Sequence, residues 1–188
     1  MNKKYVFLGD SLVFGYGVPK KDNWVSLLQN SFDLNIINKG INGHSTTDML
    51  YRFTDDVILN KPNITFIMGG TNDLLLGHSV DTIIKNIEIM IKELTSINSD
   101  IILGIPPTII SDDATKLFMS FSTYDYCYNE LPILREKLIS LCLTYNIKYI
   151  DFYELTSHNK SNSIFNDGIH LNIDGQLLMF KLAKNYIK

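Results

Sequence analysis

Short apolar runs alternate with longer amphipathic segments along the chain. Five runs rich in Ile, Val, Phe and Tyr are predicted to be buried strands: KYVFLG, NIIN, ITFIMG, DIILGI and KYIDF. Between these runs and after the last one, apolar residues recur at intervals of three and four, which predicts helices over Trp24 to Phe32, Thr47 to Leu59, Val80 to Ile97, Leu131 to Tyr145 and Gln176 to Ile187. Strands and helices are therefore expected in alternation.

Continuous apolar strands joined by helical crossovers are typical of a mostly parallel sheet that is covered on both faces. The pattern predicts an α/β protein, a three-layer α/β/α sandwich. With 188 residues, of which 45% are apolar, the chain can bury one substantial core and is short for two. We therefore predict a single domain over residues 1–188.

Composition and charge narrow the class of partner. The 17 basic and 20 acidic residues are scattered and leave a net charge of −3, so we expect no nucleic acid partner. Cys127 and Cys142 have no second ligand pair and are predicted to be reduced core thiols. The first apolar run ends at Asp10, too soon for a signal peptide, and no later run is long enough for membrane insertion. The predicted location is cytoplasmic.

Polar residues and glycines collect in the loops that follow the predicted strands. In parallel α/β sheets, ligands bind outside the carboxyl ends of the strands. The loops at that edge are GDSLVFGYG, NKGINGHSTT, GGTND and PPTIISDD, and the segment after the fifth strand leads to FNDGIHLN. The site is expected to form there.

Three residues of these loops fit acyl-transfer chemistry. A serine hydroxyl becomes a good nucleophile when a histidine removes its proton and a carboxylate orients that histidine. Ser11, His170 and Asp167 could fill these roles, because a carboxylate three residues before a histidine can reach it within a turn. The surroundings of Ser11 are not the G-x-S-x-G elbow, so a different serine-hydrolase architecture is required.

A tetrahedral intermediate also needs hydrogen-bond donors for its oxyanion. The candidates are the backbone N–H groups of Ser11 and Gly43 and the side-chain amide of Asn72. A glycine at position 43 lets the backbone approach the oxyanion without a Cβ in the way, and Gly40 is its rival for this role.

Four blocks, in this order along the chain, resemble the SGNH or GDSL hydrolase family: Gly9-Asp10-Ser11-Leu12, Gly43 within NKGINGHS, Gly70-Thr71-Asn72-Asp73 and Asp167-Gly168-Ile169-His170. The resemblance extends from the first strand to the final helix. It implies a flavodoxin-like fold with a five-stranded parallel sheet.

The same resemblance implies roles for individual residues: Ser11 as nucleophile, His170 as base, Asp167 as its orienting acid, and Ser11, Gly43 and Asn72 as the oxyanion hole. It implies no metal and no organic cofactor. The family includes thioesterases, lysophospholipases, arylesterases and carbohydrate O-acetylesterases. We therefore expect a serine esterase that cleaves a small-molecule ester or thioester through an acyl-enzyme, with its substrate left open.

The substrate pocket is less defined by the sequence. The segment from Pro106 to Leu131 is too long for a simple connection and rich in aromatic residues, so Phe118 and Phe121 are candidates for an acyl or aryl pocket. The equal alternative is that this segment faces the core or an interface of a homo-oligomer. Phe14, Tyr16 and Val18, just past Ser11, are further candidates for the pocket wall, and Asp10 and His44 are candidates because they adjoin Ser11 and Gly43.

Other functions stay open at this point. The glycines after the first strand could hold a phosphate or a flavin, as in a flavodoxin-like binding module, although Asn72 and the Asp167/His170 pair would then have no role. A catalytically idle relative that binds a ligand or a protein is the second alternative. Taken alone, Ser11 could also be an ordinary helix cap or a turn hydroxyl.

Overall fold

A computed structural model of the chain describes residues 3–114, 120–159 and 164–187. Its strands are β1 (Lys4–Gly9), β2 (Asn35–Gly40), β3 (Ile64–Met68), β4 (Asp100–Ile105) and β5 (Lys148–Asp151). All neighbouring strands are parallel, in the order β2-β1-β3-β4-β5. The predicted five-stranded parallel sheet of flavodoxin-like order is confirmed, and the strand order reverses beside β1, where a ligand site is expected.

Helices connect and cover the strands. They are α1 (Ser11–Phe14), α2 (Trp24–Phe32), α3 (Thr46–Tyr51), α4 (Phe53–Asp56), α5 (Thr71–Leu75), α6 (Val80–Ser96), α7 (Ser111–Ala114), α8 (Phe121–Tyr145), α9 (Phe152–Ser157) and α10 (Ile173–Ala183). The helix predicted over Thr47 to Leu59 is divided into α3, α4 and a short 3-10 turn. Helix α10 begins and ends earlier than predicted, and the Asn172 side chain caps its start.

Helix α8 begins ten residues before the predicted start at Leu131. Pro132 lies inside it and cannot donate a backbone hydrogen bond there, which argues against a helix at the sequence level. The helix continues through this point because one stripe at intervals of three and four is buried in the core: Tyr124, Cys127, Leu131, Leu134 and Leu138. Tertiary packing outweighs the local cost of the proline.

The core lies on both faces of the sheet. Val6 and Leu8 of β1 pack in a cluster with α6 and α8, whereas Tyr5 and Phe7 pack in a second cluster with α2 and α10. Cys127 and Cys142 are free and buried, as predicted for core thiols, and burial raises the pKa of each to about 12. Within the described ranges, no helix has the length and apolar character needed to cross a membrane.

Candidate active site

The first strand delivers Ser11 to the carboxyl edge of the sheet. Strand β1 ends at Gly9, Asp10 caps α1, and Ser11 is the first residue of that helix. One carboxylate oxygen of Asp10 accepts a hydrogen bond of 2.8 Å from the Leu12 N–H. Because the first N–H groups of a helix have no partner inside the helix, the Ser11 N–H is left for other contacts.

Side chains from outside α1 hold this short helix in place. The indole N–H of Trp24 donates to the Leu12 carbonyl at 3.0 Å, the Asn38 amide to the Val13 carbonyl at 2.9 Å, and the Asn23 amide to the Phe14 carbonyl at 2.7 Å. A four-residue helix cannot satisfy its last carbonyls itself. These donors replace the missing turns and fix the backbone that carries Ser11.

Ser11, His170 and Asp167 converge although 159 positions separate the serine from the histidine. The distance from His170 Nε2 to Ser11 Oγ is 2.9 Å, and the distance from His170 Nδ1 to Asp167 Oδ2 is 2.7 Å. The arrangement can pass a proton from the hydroxyl to the imidazole while the carboxylate orients the ring.

A tight turn presents Asp167 and His170. The turn is closed by a β-bridge between Phe165 and Leu171, and the Asn166 N–H donates to the His170 carbonyl at 2.7 Å. Gly168 has φ +84°, and a Cβ there would lie 2.6 Å from the Ile110 carbonyl oxygen. A glycine is required because this left-handed residue packs directly on the loop after β4.

The hydrogen bonds around Asp167 favour the ionised form of its carboxylate. Burial by itself would raise its pKa, but the hydrogen bonds from the His170 ring and from the N–H groups of His170 and Ile169 outweigh burial and lower the pKa below its ordinary value. The carboxylate therefore remains negative beside the imidazole at neutral pH.

Two further donors face the same place as Ser11. Gly43 has φ +77°, and an added Cβ would meet nothing within 4 Å, so its backbone is open to the cavity. The Asn72 amide donates to the His44 carbonyl at 3.0 Å, which ties α5 to the loop that carries Gly43. Because an amide nitrogen carries two protons, one proton of Asn72 remains for a ligand.

Gly40, the rival for the oxyanion role, lies elsewhere. A Cβ at this position would approach the Phe14 N to 2.3 Å, so Gly40 is needed where β2 passes close to α1. It does not line the cavity that contains Ser11, whereas Gly43 does.

The cavity beside Ser11 has a volume of about 320 Å³. Its polar wall contains Ser11, His170, Gly43 and Asn72, and the rest of its lining is mainly apolar or aromatic: Leu75, Leu76, Tyr124, Ile169 and Tyr16. The Tyr16 ring packs on the His170 ring with centroids 4.5 Å apart. A polar reaction centre beside an apolar wall fits an acyl or aryl group.

Tyr16, one of the predicted wall residues, lines the Ser11 cavity, whereas Asp10, Phe14, Val18 and His44 do not. Asp10 is buried behind Ser11, and Phe14 is 53% exposed and lines a separate cavity with Val18. The His44 ring accepts a hydrogen bond from Arg52 and does not line the Ser11 cavity. Phe118 lies outside the described residues, and Phe121 is placed only as the first residue of α8.

Sequence reasoning missed part of the cavity wall. Leu75 and Leu76 lie two and three residues after the GGTND block, and Ile169 lies inside the DGIH block, so their proximity to the blocks was an available signal. Tyr124 belongs to the aromatic segment that we expected near the site, and its ring lines the cavity. The position of α8 was needed to single it out.

Burial raises the pKa of the Asp10 carboxyl to about 6 from its ordinary value of 3.8, and Asp73 adds to the rise, while the Leu12 N–H and the field of His170 oppose it. The second carboxylate oxygen is buried with no hydrogen-bond partner. The neutral form is thus favoured in the folded state over a wider pH range than in the unfolded chain.

We expect Asp10→Asn to gain stability relative to the wild type as the pH rises from 4 to 8. The folded protein binds the extra proton up to about pH 6 and the unfolded chain only up to about 3.8, so the Asp10 contribution is present below pH 4 and lost as pH rises through about 6. About two pH units correspond to about 3 kcal/mol. Asparagine keeps the helix cap and cannot ionise.

Urea unfolding at pH 4 and pH 8 measures the effect as the change in free energy of unfolding. The matched control is Asp55→Asn, at an exposed aspartate, which is expected to follow the wild type. An Asp10→Asn variant with the same offset at both pH values would contradict the prediction.

Comparisons with known proteins bear on this site. A model described as the GDSL-like Lipase/Acylhydrolase family matches residues 7–178. An arylesterase of Vibrio mimicus is 30% identical over 114 residues, which are 56% of this chain and 57% of that protein. The chain therefore spans little more than half the length of that curated relative.

Solved structures match over nearly the whole chain. A member of the lipolytic protein G-D-S-L family from Veillonella parvula has a TM-score of 0.82 at 27% identity, with 97% of each chain covered. The lipase/acylhydrolase from Enterococcus faecalis has a TM-score of 0.78 at 26% identity, with 98% of this chain and 95% of that chain covered.

Proposed function

The chain belongs to the GDSL-like lipase/acylhydrolase family, and on that premise we propose that it hydrolyses carboxylic esters or thioesters through an acyl-enzyme on Ser11. The observation that carries the proposal is the unbroken chain of hydrogen bonds from Asp167 through His170 to Ser11, at 2.7 and 2.9 Å, on the wall of one cavity. We propose that residues 1–188 form one hydrolase domain.

In the first half of the reaction, Ser11 Oγ attacks the carbonyl carbon while its proton passes to His170 Nε2. The bond from that carbon to the leaving oxygen or sulfur then breaks, and the alcohol or thiol departs with the proton from Nε2. Asp167 stays ionised throughout and stabilises the imidazolium. The product of this half is an ester between the acyl group and Ser11.

Water completes the cycle. It gives one proton to His170 Nε2 as its oxygen attacks the acyl carbon, and the bond to Ser11 Oγ breaks as the proton returns to the serine. In both halves the negative oxygen accepts hydrogen bonds from the Ser11 and Gly43 N–H groups and from the Asn72 amide. Each such donor is worth on the order of 10²- to 10³-fold in turnover.

The apolar wall of Leu75, Leu76 and Ile169 supports an acyl or aryl group as the part of the substrate held next to the serine. The curated relative in Vibrio mimicus is named an arylesterase, so an aryl ester is the first substrate to try.

The flavodoxin-like binding module is the less favoured alternative. It would use the glycines after β1 and leave the contact of His170 with Ser11 unexplained, whereas the hydrolase accounts for that contact. The cytoplasmic location, the lack of a nucleic acid partner, the homo-oligomer and the lack of a metal or organic cofactor remain predictions from the sequence. Among the described residues, no group of three His, Cys, Asp or Glu side chains could hold a metal.

Rapid mixing with p-nitrophenyl acetate tests the acyl-enzyme. We expect a burst of p-nitrophenol, because this activated ester should acylate Ser11 faster than water frees the serine. Wild-type protein should also react with a fluorophosphonate probe, and peptide mapping should place the adduct on Ser11.

Pretreatment with the probe is the control and should remove the burst. Absence of both hydrolysis and labelling in folded protein would overturn the proposed function, and a yellow purified protein would favour the flavin-binding alternative. An adduct on a different serine would overturn the assignment of the nucleophile.

A further inference from the structure

One arginine outside the candidate triad joins the segments that build the site. Arg52 lies between α3 and α4, and its side chain is 11% exposed. Its Nη2 donates to the Gly9 carbonyl at 2.8 Å, its Nη1 to the Lys39 carbonyl at 2.9 Å, and its Nε to Nδ1 of His44 at 3.2 Å. Two backbone carbonyls, at the ends of β1 and β2, and one imidazole nitrogen thus meet on one guanidinium.

These contacts are made to the segments that carry the two backbone donors of the proposed oxyanion hole, the N–H groups of Ser11 and Gly43. Gly9 is two residues before Ser11, and Lys39 and His44 lie on either side of Gly43 in the chain. The His44 carbonyl in turn accepts the hydrogen bond from the Asn72 amide at 3.0 Å. Arg52 therefore touches, directly or through His44, the segments that carry all three proposed donors.

The charge of the guanidinium is balanced where it lies. Asp56 pairs with Arg52 Nη1 and also with Lys39 Nζ, the latter at 2.8 Å. The pair holds Arg52 in one orientation, so its remaining N–H groups stay aimed at the carbonyls. A lysine side chain has a single nitrogen and cannot donate to all three of these partners from one position.

We propose that Arg52 is the positioning residue of the oxyanion hole: it sets the distance between the nucleophile strand and the loop that carries Gly43. The inference rests on the proposed function. Arg52 does not line the cavity, so it acts on the negative oxygen only through the backbone that it holds. Its loss should therefore weaken binding of the transition state and leave substrate binding nearly unchanged.

Arg52→Lys and Arg52→Gln test the proposal with p-nitrophenyl acetate. We expect kcat to fall on the order of 10- to 100-fold and KM to stay within about twofold, because small displacements of oxyanion donors affect mainly the transition state. The inhibition constant of a phenylboronic acid, which forms a tetrahedral adduct on a serine, should rise by a similar factor. A role in folding alone would not move the boronate affinity independently of KM.

Arg135→Lys is the matched control. Arg135 also pairs with carboxylates, those of Asp151 and Glu154 at 2.8 and 3.0 Å, and lies outside the cavity lining. It should keep wild-type kcat. Thermal unfolding of each variant, with assays well below the lowest transition, separates lost structure from lost positioning.

If both Arg52 variants fail to fold, His44→Leu tests the proposal, since it removes the imidazole that accepts from Arg52 Nε and keeps the backbone carbonyl that accepts from Asn72. We expect a several-fold lower kcat with unchanged KM. An active wild type with folded Arg52 variants within about threefold of its kcat would overturn this inference alone, and so would an unchanged His44→Leu. An inactive, unlabelled wild type would instead overturn the proposed function.

Discussion

Replacement of Ser11 by alanine is expected to lower kcat for p-nitrophenyl acetate by a factor on the order of 10⁶. The substitution removes the atom that forms the acyl bond, so no later step can take over its role. The residual rate should come from water attacking a substrate held near the oxyanion donors, which still accelerates hydrolysis over bulk solution. The burst of p-nitrophenol should also disappear in this variant.

The fold should tolerate this substitution. The Ser11 hydroxyl has one described contact, to His170 Nε2, whereas the cap of α1 comes from Asp10. Circular dichroism and the thermal midpoint should match the wild type. Ser157→Ala is a suitable control because Ser157 does not line the Ser11 cavity and its hydroxyl donates to the Glu154 carbonyl. A Ser11→Ala protein that keeps more than a few per cent of wild-type turnover would contradict the nucleophile assignment.

The strands and the longer helices could be predicted where one local pattern dominates. Strands β1, β3 and β4 are largely apolar runs, and β2 and β5 each contain two adjacent apolar residues. Helix α2 begins and ends as the periodicity predicts. The prediction was wrong over Thr47 to Leu59, where Arg52 ends α3 and turns its side chain to the ends of β1 and β2. It was also wrong at the start of α8, where burial of Tyr124 and Cys127 outweighs the helix-breaking effect of Pro132. Both depend on contacts with distant segments.

The candidate site divides in the same way. The blocks around Ser11, Gly43, Asn72 and His170 carry a signal because their chemistry and order are visible in the sequence. The packing of Tyr16 on His170 and the presence of Leu75 in the wall are not visible in the sequence, since ordinary aromatic and aliphatic residues acquire a role only by their position in the fold. The same holds for Arg52, whose partners are two carbonyls, one imidazole nitrogen and the carboxylate of Asp56.

The second large effect is expected at His170. Glutamine in its place can hold a hydrogen bond to Ser11 but cannot take the proton from the hydroxyl at neutral pH, so kcat should again fall by a factor on the order of 10⁶. KM should change little, because substrate binding uses the cavity wall, which the substitution leaves in place. Steady-state kinetics with p-nitrophenyl acetate measure both constants. His158→Gln is the matched control, at an exposed histidine outside the cavity.

The double variant Ser11→Ala, His170→Gln decides whether the two side chains act as one unit. Neither His170 without Ser11 nor Ser11 without His170 can carry out the attack. The double variant should therefore be no slower than either single variant. If the two losses instead multiplied, the hydroxyl and the imidazole would contribute independently, and the 2.9 Å contact between them would not be the path of the proton. Unchanged labelling of His170→Gln by fluorophosphonate would contradict the base assignment directly, because the probe needs an activated hydroxyl.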